Sequence, residues 1–183
     1  GSVGVQILSS GPVGQWHNIS LMFNKAIANA KKCIYLETPY FLPTESLLKA
    51  LQTAALSKID VRVLIPRQPD SMMLKLASGS YIGDCLRAGI KVYFYEPGML
   101  HSKTIVIDDE FFTTGSTNFD FRSMEYNFEC NAFIYDRAIN KQMKEAFYAD
   151  LEQSTRITSA TWRRRPFFQK FKESCVRLMS PVL

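Results

Sequence analysis

The sequence predicts an α/β fold built on a mixed β-sheet. Short runs of β-branched and aromatic residues alternate with longer stretches of helical periodicity, which is typical of α/β proteins. In the second half, two strand-like runs lack a helix-length connection, so we expect them to pair antiparallel within the same sheet. The 183 residues, 46% of them hydrophobic, suffice for one core and predict a single domain over residues 1–183.

The first strand and helix are predicted within residues 3–30. A strand over 3–8 ends in a turn at 9–12 that is rich in Ser, Gly and Pro. Apolar residues then recur every three or four positions, which indicates a helix buried on one face. These residues are Trp16, Ile19, Phe23, Ala26, Ile27 and Ala30.

The next segments repeat a strand and helix rhythm. We expect strands at 33–36, 60–65 and 91–95, the first of them stopped by Pro39. Thr44 is a candidate cap for a helix, and a third helix runs from about Ser71 to a left-handed cap at Gly89. The residues expected to face inward from the Thr44 helix are Leu47, Leu48, Leu51 and Ala55.

The second half predicts strands at 104–107, 111–114 and 129–135, with a hairpin turn at 108–110. Asp136 is the expected N-cap of a last long helix. Its inner face would carry Ile139, Met143, Phe147 and Leu151.

Charge is concentrated in a basic amphipathic segment at residues 161–180. From Arg156 to Arg177 there are seven basic residues and one acidic residue. Pro166 can begin a helix there, and we expect that helix to pack Phe168, Phe171, Cys175 and Leu178 inward. An additional hypothesis is that Trp162 and the arginines at 163–165 contact anionic lipid headgroups. A nucleic-acid binder would spread basic residues around its site, so this distribution argues against a nuclease.

Several classes of protein are excluded or disfavoured. The longest apolar runs are too short to cross a bilayer. Four well-separated cysteines and two distant histidines predict neither a disulfide framework nor a metal site. Gly1 and Ser2 look like a remnant of cloning, which suggests a piece of a longer protein.

The motif with chemical meaning is His101-x-Lys103-x4-Asp108, followed by Gly115-Ser116-x-Asn118 and then Glu129. Residues two apart in an extended segment share a face, so His101 and Lys103 should project side by side. An imidazole can attack phosphorus or carry a proton, and an ammonium offsets charge on phosphate oxygens. Asn118 would add a neutral donor.

The two carboxylates of this pattern have different expected roles. Glu129 can hold an imidazole in its working tautomer. Asp108 lies at a strand end, where it either takes part in the chemistry or only fixes the local backbone, and the sequence leaves both open.

At these residues the sequence resembles the phospholipase D superfamily, whose HKD motif is His-x-Lys-x4-Asp followed by Gly-Ser-x-Asn and a downstream Glu. The stretches at 10–12, 37–43, 98–101 and 127–136 are further similar to the second, C-terminal HKD domain of bacterial cardiolipin synthases, as is the chain end at 178–183. The resemblance implies a mixed sheet with helices on both faces, an α-β-α sandwich.

The resemblance also implies an active site shared by two HKD motifs, of which this chain has one. One histidine forms a phosphohistidine, and the other protonates the leaving alcohol and deprotonates the incoming one. His101 is then the expected acid/base, Lys103 and Asn118 are phosphate ligands, Ser116 supports their turn and Glu129 orients a histidine. The implied reaction joins two phosphatidylglycerols into cardiolipin and glycerol without cofactor or metal.

The expected partners are phosphatidylglycerol, a membrane surface and a second HKD domain, from the same parent chain or from a homodimer mate, with no nucleic acid. The expected location is the bacterial membrane, with this domain soluble and facing the cytoplasm. Two alternatives remain: a single-motif homodimeric endonuclease of the same superfamily, and a non-catalytic fragment that binds a membrane or partner.

Overall fold

The computed structural model describes residues 3–180, so Gly1, Ser2 and the chain end at 181–183 lie outside the described residues. The chain between them forms ten strands, six α-helices and a π-helical turn at Arg122–Tyr126. In order these are β1 (Gly4–Ser10), α1 (Asn18–Asn29), β2 (Cys33–Glu37), β3 (Phe41–Leu42), α2 (Glu45–Leu56), β4 (Asp60–Pro66), α3 (Met72–Ala88), β5 (Lys91–Tyr95), β6 (Thr104–Ile107), β7 (Phe111–Gly115), β8 (Phe119–Asp120), β9 (Glu129–Tyr135), α4 (Arg137–Glu152), β10 (Ser154–Ile157), α5 (Ser159–Arg163) and α6 (Phe167–Arg177).

Eight strands form one sheet in the order β1-β9-β7-β6-β2-β4-β5-β10. β2, β4 and β5 run parallel to one another, whereas β6 pairs antiparallel with both β2 and β7. The prediction of a mixed sheet is confirmed. A small second sheet pairs β3 with β8, in parallel.

Side chains alternate along the central strands, so the sheet has an apolar side on each face, and helices cover both. On β2, Ile34 and Leu36 belong to the core that α1, α2 and α3 cover. Cys33 and Tyr35 of the same strand point to the opposite core, where they join Phe147 of α4. The predicted arrangement of helices on both faces is therefore confirmed.

Local signals set the ends of two long helices. Ser71 Oγ accepts a hydrogen bond from Leu74 N at 3.4 Å, and Gly89 ends α3 in the left-handed conformation at φ 91°. Asp136 Oδ1 accepts from Ile139 N at 2.9 Å and caps α4. Thr44 is the N-cap residue of α2, but its side chain makes no capping bond.

Two predictions about buried apolar residues were wrong. Trp16 lies before α1 and is 61% exposed, because the helix begins only at Asn18. The α6 residues expected to face inward, Phe168, Phe171 and Cys175, are exposed, as is Leu178 next to them. The helix packs on α3 through its opposite, polar side, on which Glu173 is buried. Among residues 3–180, no helix combines the length and apolarity that crossing a bilayer requires.

Candidate active site

His101 and Lys103 lie in the segment that leads into β6, and their side chains meet. Lys103 Nζ is 3.3 Å from both ring nitrogens of His101 and donates to the His101 carbonyl oxygen at 3.2 Å. Burial lowers the pKa of Lys103, although the carboxylates of Glu129 and Asp120 oppose that shift. The ammonium is therefore partly desolvated, which favours contact with an anion. His101 itself is exposed.

A buried glutamate supports this segment from the neighbouring strand. In the pairing of β2 with β6, Glu37 lies opposite Thr104, and Thr104 Oγ1 donates to Glu37 Oε2 at 3.3 Å. Burial raises the pKa of Glu37, while a hydrogen bond from Ser102 opposes that shift. Glu37 thus fixes the residues on either side of Lys103. No motif in the sequence predicts a role for Glu37, although a glutamate that ends an apolar strand is a signal of one.

The turn after β7 carries Ser116 and Asn118. Gly115 opens it, and an added Cβ at this position would collide with the Asn131 side chain and the Cys130 carbonyl, so only glycine fits. Ser116 N donates to Cys130 O at 3.1 Å, and Asn118 N donates to Ser123 Oγ at 3.1 Å. Two backbone anchors therefore hold the turn beside β9.

Asn118 has an unused side-chain acceptor. Within the described residues, its Oδ1 atom is buried and has no hydrogen-bond partner. A buried polar atom without a partner is costly, which makes it a candidate contact for a ligand. Asp120, two residues further on, is a second buried polar residue of this turn that the sequence did not predict. Its carboxylate accepts a hydrogen bond from Ser123 N at 2.8 Å, and burial raises the pKa of Asp120.

Glu129 lies at the start of β9 and is held by neighbours other than His101. Ser116 Oγ donates a hydrogen bond to Glu129 Oε2, and Asn127 Nδ2 donates to Oε1 at 3.3 Å. No direct hydrogen bond joins Glu129 to His101 in the part of the chain that the structure describes. Its assigned role of orienting a histidine stays a prediction.

Asp108 lies outside this cluster, at the other end of β6. Its carboxylate accepts from the backbone N–H groups of Lys31, Lys32 and Cys33 at 2.9, 2.7 and 3.0 Å. The backbone of Asp108 is left-handed, at φ 54°. Of its two expected roles, the geometry supports the fixing of local backbone.

In the described part of this chain the candidate site is open to solvent and has no enclosed pocket of its own for a phosphate group. A void lined by Lys103, Thr117 and Phe119 measures about 10 Å³, too small for a phosphodiester. A phosphate does not fit in this void and would approach Lys103 from the exposed side, where His101 lies. Across residues 3–180, no group of three or more His, Cys, Asp or Glu side chains is arranged to hold a metal ion. The arrangement can bind a phosphate and move a proton at the imidazole.

Known proteins resemble this chain in sequence and in fold. A family profile described as cardiolipin synthase, PLD-like domain, matches residues 23–151. The chain is 48% identical to the major cardiolipin synthase ClsA of Bacillus subtilis over 183 residues, which is 100% of this chain and 38% of that protein. The chain thus spans well under half the length of this relative.

Two solved structures share the fold at low sequence identity. A phosphatidylserine synthase from Haemophilus influenzae matches 99% of this chain with 48% of its own, at a TM-score of 0.77 and 16% identity. The phospholipase D family member Nuc from Salmonella typhimurium is covered in full and matches 86% of this chain, at a TM-score of 0.72 and 22% identity.

Proposed function

The chain belongs to the family of cardiolipin synthase, PLD-like domains, and from that premise we propose that it supplies one half of a phosphatidyltransferase active site. The reaction joins two phosphatidylglycerols into cardiolipin and glycerol. The observation that carries the proposal is the contact between Lys103 Nζ and the His101 ring at 3.3 Å, beside the turn of Ser116 and Asn118. An exposed imidazole and a partly desolvated cation suit a phosphodiester substrate.

In the first step, the histidine of a second motif attacks phosphorus and the bond to the glycerol oxygen breaks. His101, as imidazolium, gives its proton to the departing glycerol oxygen and becomes neutral. Lys103 offsets the charge on the phosphoryl oxygens, and the amide nitrogen of Asn118 donates a hydrogen bond to another of these oxygens. The lowered pKa of Lys103 is consistent with this role. Burial disfavours the charged ammonium, and the negative charge of a bound phosphate would favour it again.

In the second step, the hydroxyl of another phosphatidylglycerol gives its proton to His101 and attacks phosphorus. The phosphorus–nitrogen bond to the second motif's histidine breaks, and cardiolipin leaves. His101 is again an imidazolium, so the cycle closes without net proton change. Ser116 holds Glu129 through its hydroxyl, and Glu129 orients a histidine in the assembled site.

The open geometry supports a second covering unit. Phosphoryl transfer to an alcohol needs water excluded, since water would compete as acceptor. His101 is exposed, and Phe128 beside Glu129 is 76% exposed. A second HKD domain packed on this face would exclude water and supply the other histidine. The proposed location is accordingly the bacterial membrane surface, where both lipid substrates reside.

The test is to incubate the full-length protein with labelled phosphatidylglycerol and identify the lipid product. We expect labelled cardiolipin and free glycerol, in an amount unchanged by EDTA in detergent micelles. The isolated 183-residue chain should be inactive as a monomer, because its one HKD motif supplies one catalytic histidine where the two steps need two. Activity in a monomer on gel filtration would contradict the two-motif mechanism.

A single-motif homodimeric endonuclease is the competing function. The observation that favours it is that the chain has one motif and one His101–Lys103 pair. Against it stands the concentration of basic charge in the C-terminal segment, away from the turn at 115–118. An active dimer that cleaves DNA and leaves phosphatidylglycerol intact would replace the lipid proposal.

A further inference from the structure

Helix α6 presents its apolar side to solvent. Phe167, Phe168 and Phe171 are 74%, 76% and 57% exposed, and Leu178, directly after the helix, is 84% exposed. At about 100° per residue, these four side chains lie within one sector roughly 100° wide. A continuous aromatic stripe of this kind marks an interaction surface in a monomeric domain.

The opposite side of α6 is held on α3 by polar contacts. Glu173 is 4% exposed, pairs with Arg165 and accepts from Gln169 Nε2 at 3.2 Å. Arg177 Nη1 lies 2.7 Å from Asp84 Oδ2, and its guanidinium lies 4.4 Å from the ring centre of Tyr81. Rotating the stripe inward would break both ion pairs, so the outward orientation is fixed.

Close packing at Gly79 reinforces this orientation. A Cβ built on Gly79 would lie 3.0 Å from Glu173 Oε1, so the carboxylate lies directly on the α3 backbone. Arg165, which neutralises that carboxylate, is in turn stacked on Trp162, with its guanidinium 3.3 Å from the ring centre. The turn between α5 and α6 is therefore anchored as firmly as the helix.

Basic side chains border the apolar stripe. Lys170 and Lys172 lie on either side of its sector, and Arg163 and Arg164 are exposed at the preceding turn. None of the four has a carboxylate within ion-pair distance in the described part of the chain, where Glu173 and Asp84 already pair with Arg165 and Arg177. An apolar stripe flanked by cations is the pattern of a helix that lies in a membrane interface.

We propose that this surface, defined as Phe167, Phe168, Phe171 and Leu178 with their four basic neighbours, docks on an anionic phospholipid bilayer. The apolar side chains enter the boundary between headgroups and acyl chains, and the cations contact lipid phosphates. An eleven-residue helix is about 16 Å long, so it lies in the plane of the membrane and does not span it. The proposal does not depend on the catalytic roles above.

Charge favours an anionic bilayer over a second copy of the chain as the partner of this surface. Two copies meeting at this surface would bring two sets of unpaired cations together, which is unfavourable. A bilayer containing anionic lipid supplies apolar depth and negative charge at the same place. A third candidate partner is a protein segment corresponding to the part of the longer relatives that this chain does not span. The experiment below distinguishes that segment from a bilayer.

The experiment compares binding of the chain to vesicles with and without 30% phosphatidylglycerol in phosphatidylcholine, by sedimentation at low and moderate salt. We expect binding only to the anionic vesicles. The variant Phe168→Gln/Phe171→Gln should bind at least tenfold more weakly, with an unchanged Tm because both rings are exposed. A matched control, Leu21→Gln/Leu56→Gln, removes two apolar side chains of α1 and α2 that are also more than half exposed and should bind within twofold of wild type.

The charge contribution is tested with Arg163→Gln/Arg164→Gln, which should flatten the salt dependence of vesicle binding. Wild-type binding by the phenylalanine variant would overturn the proposal. Two further outcomes would overturn it in favour of another occupant: loss of self-association in that variant by sedimentation velocity, or a lowered Tm of the same variant in the full-length protein.

Discussion

The two ends of strand β6 carry parts of one sequence motif in opposite environments. At its start, His101 and Lys103 face open surface and contact each other at 3.3 Å. At its end, the Asp108 carboxylate is fully engaged by three backbone N–H groups. The four residues between Lys103 and Asp108 are β6 itself, Thr104–Ile107, so the two side chains start roughly 15 Å apart. The spacing of the motif therefore corresponds to the length of one strand, and we expect its two ends to have separate roles, chemistry at the start of the strand and folding at its end.

The largest expected effect is at the exposed end. His101→Ala in the full-length protein should lower phosphatidyl transfer by about a thousandfold or more, since it removes the proton carrier. The Tm should not change, because the imidazole is exposed. Kinetics with labelled phosphatidylglycerol and a melting curve check both. Activity within tenfold of wild type would contradict a chemical role for this end.

Lys103→Met should raise the barrier to transfer by roughly 3 to 4 kcal/mol, since it removes the cation beside the phosphoryl oxygens. Lys103→Arg should rescue only part of this loss, because a planar guanidinium fits a site for a compact ammonium poorly. Turnover of the three proteins at saturating lipid is the measurement. Full activity of the arginine variant would show a looser site than the contact with His101 indicates.

At the other end, Asp108→Ala should lower the free energy of unfolding by about 2 to 3 kcal/mol, because three backbone donors lose their acceptor and alanine disfavours the left-handed backbone. Asp108→Asn keeps one acceptor oxygen and tolerates that backbone, so it should lose about 1 kcal/mol. Urea unfolding measures both. If transfer by the folded Asp108→Asn protein fell as far as in His101→Ala, the separation of the two ends would fail.

The neighbouring Asp109 should show the smallest effect. Its carboxylate lies 2.6 Å from Lys144 Nζ and 2.8 Å from Lys32 Nζ, and hydrogen bonds from these lysines lower its pKa to about 2. Because the folded pKa lies below the ordinary value near 3.9, this stabilisation is present above pH 4 and is lost as the pH falls towards 2. Since Asp109 is exposed, solvent screens the pairs, and Asp109→Asn should change Tm by under about 2 °C at pH 6. That difference should vanish near pH 2. A larger shift than in Asp108→Asn would reverse the ranking of the two aspartates.

Local signals in the sequence were enough to predict most of the fold. Ser71, Gly89 and Asp136 set the ends of α3 and α4 as expected, and β5, β6 and β9 have the predicted bounds. Such signals act between residues a few positions apart. Strand β10 was not predicted, because Ser154–Ile157 has little apolar periodicity and pairs with β5 only in the folded sheet. The short helix α5 that follows was not predicted either.

The candidate site divides in the same way. The side-by-side projection of His101 and Lys103 follows from their spacing in an extended segment. The placement of Glu129 on Ser116 depends on a contact across 13 positions, and the support of Thr104 by Glu37 depends on a strand pairing across 67 positions. No local pattern specifies those pairings.

By itself, the sequence determined the mixed α/β sheet, the caps of the long helices and the residues of the HKD motif, because each rests on propensity, periodicity or spacing over a few residues. Only the tertiary structure decided which end of β6 can do chemistry and which side of α6 faces water. Periodicity shows that α6 has an apolar side but not what covers it. That choice rests on the pairing of Arg177 with Asp84, 93 positions away, and on the packing of Glu173 against Gly79.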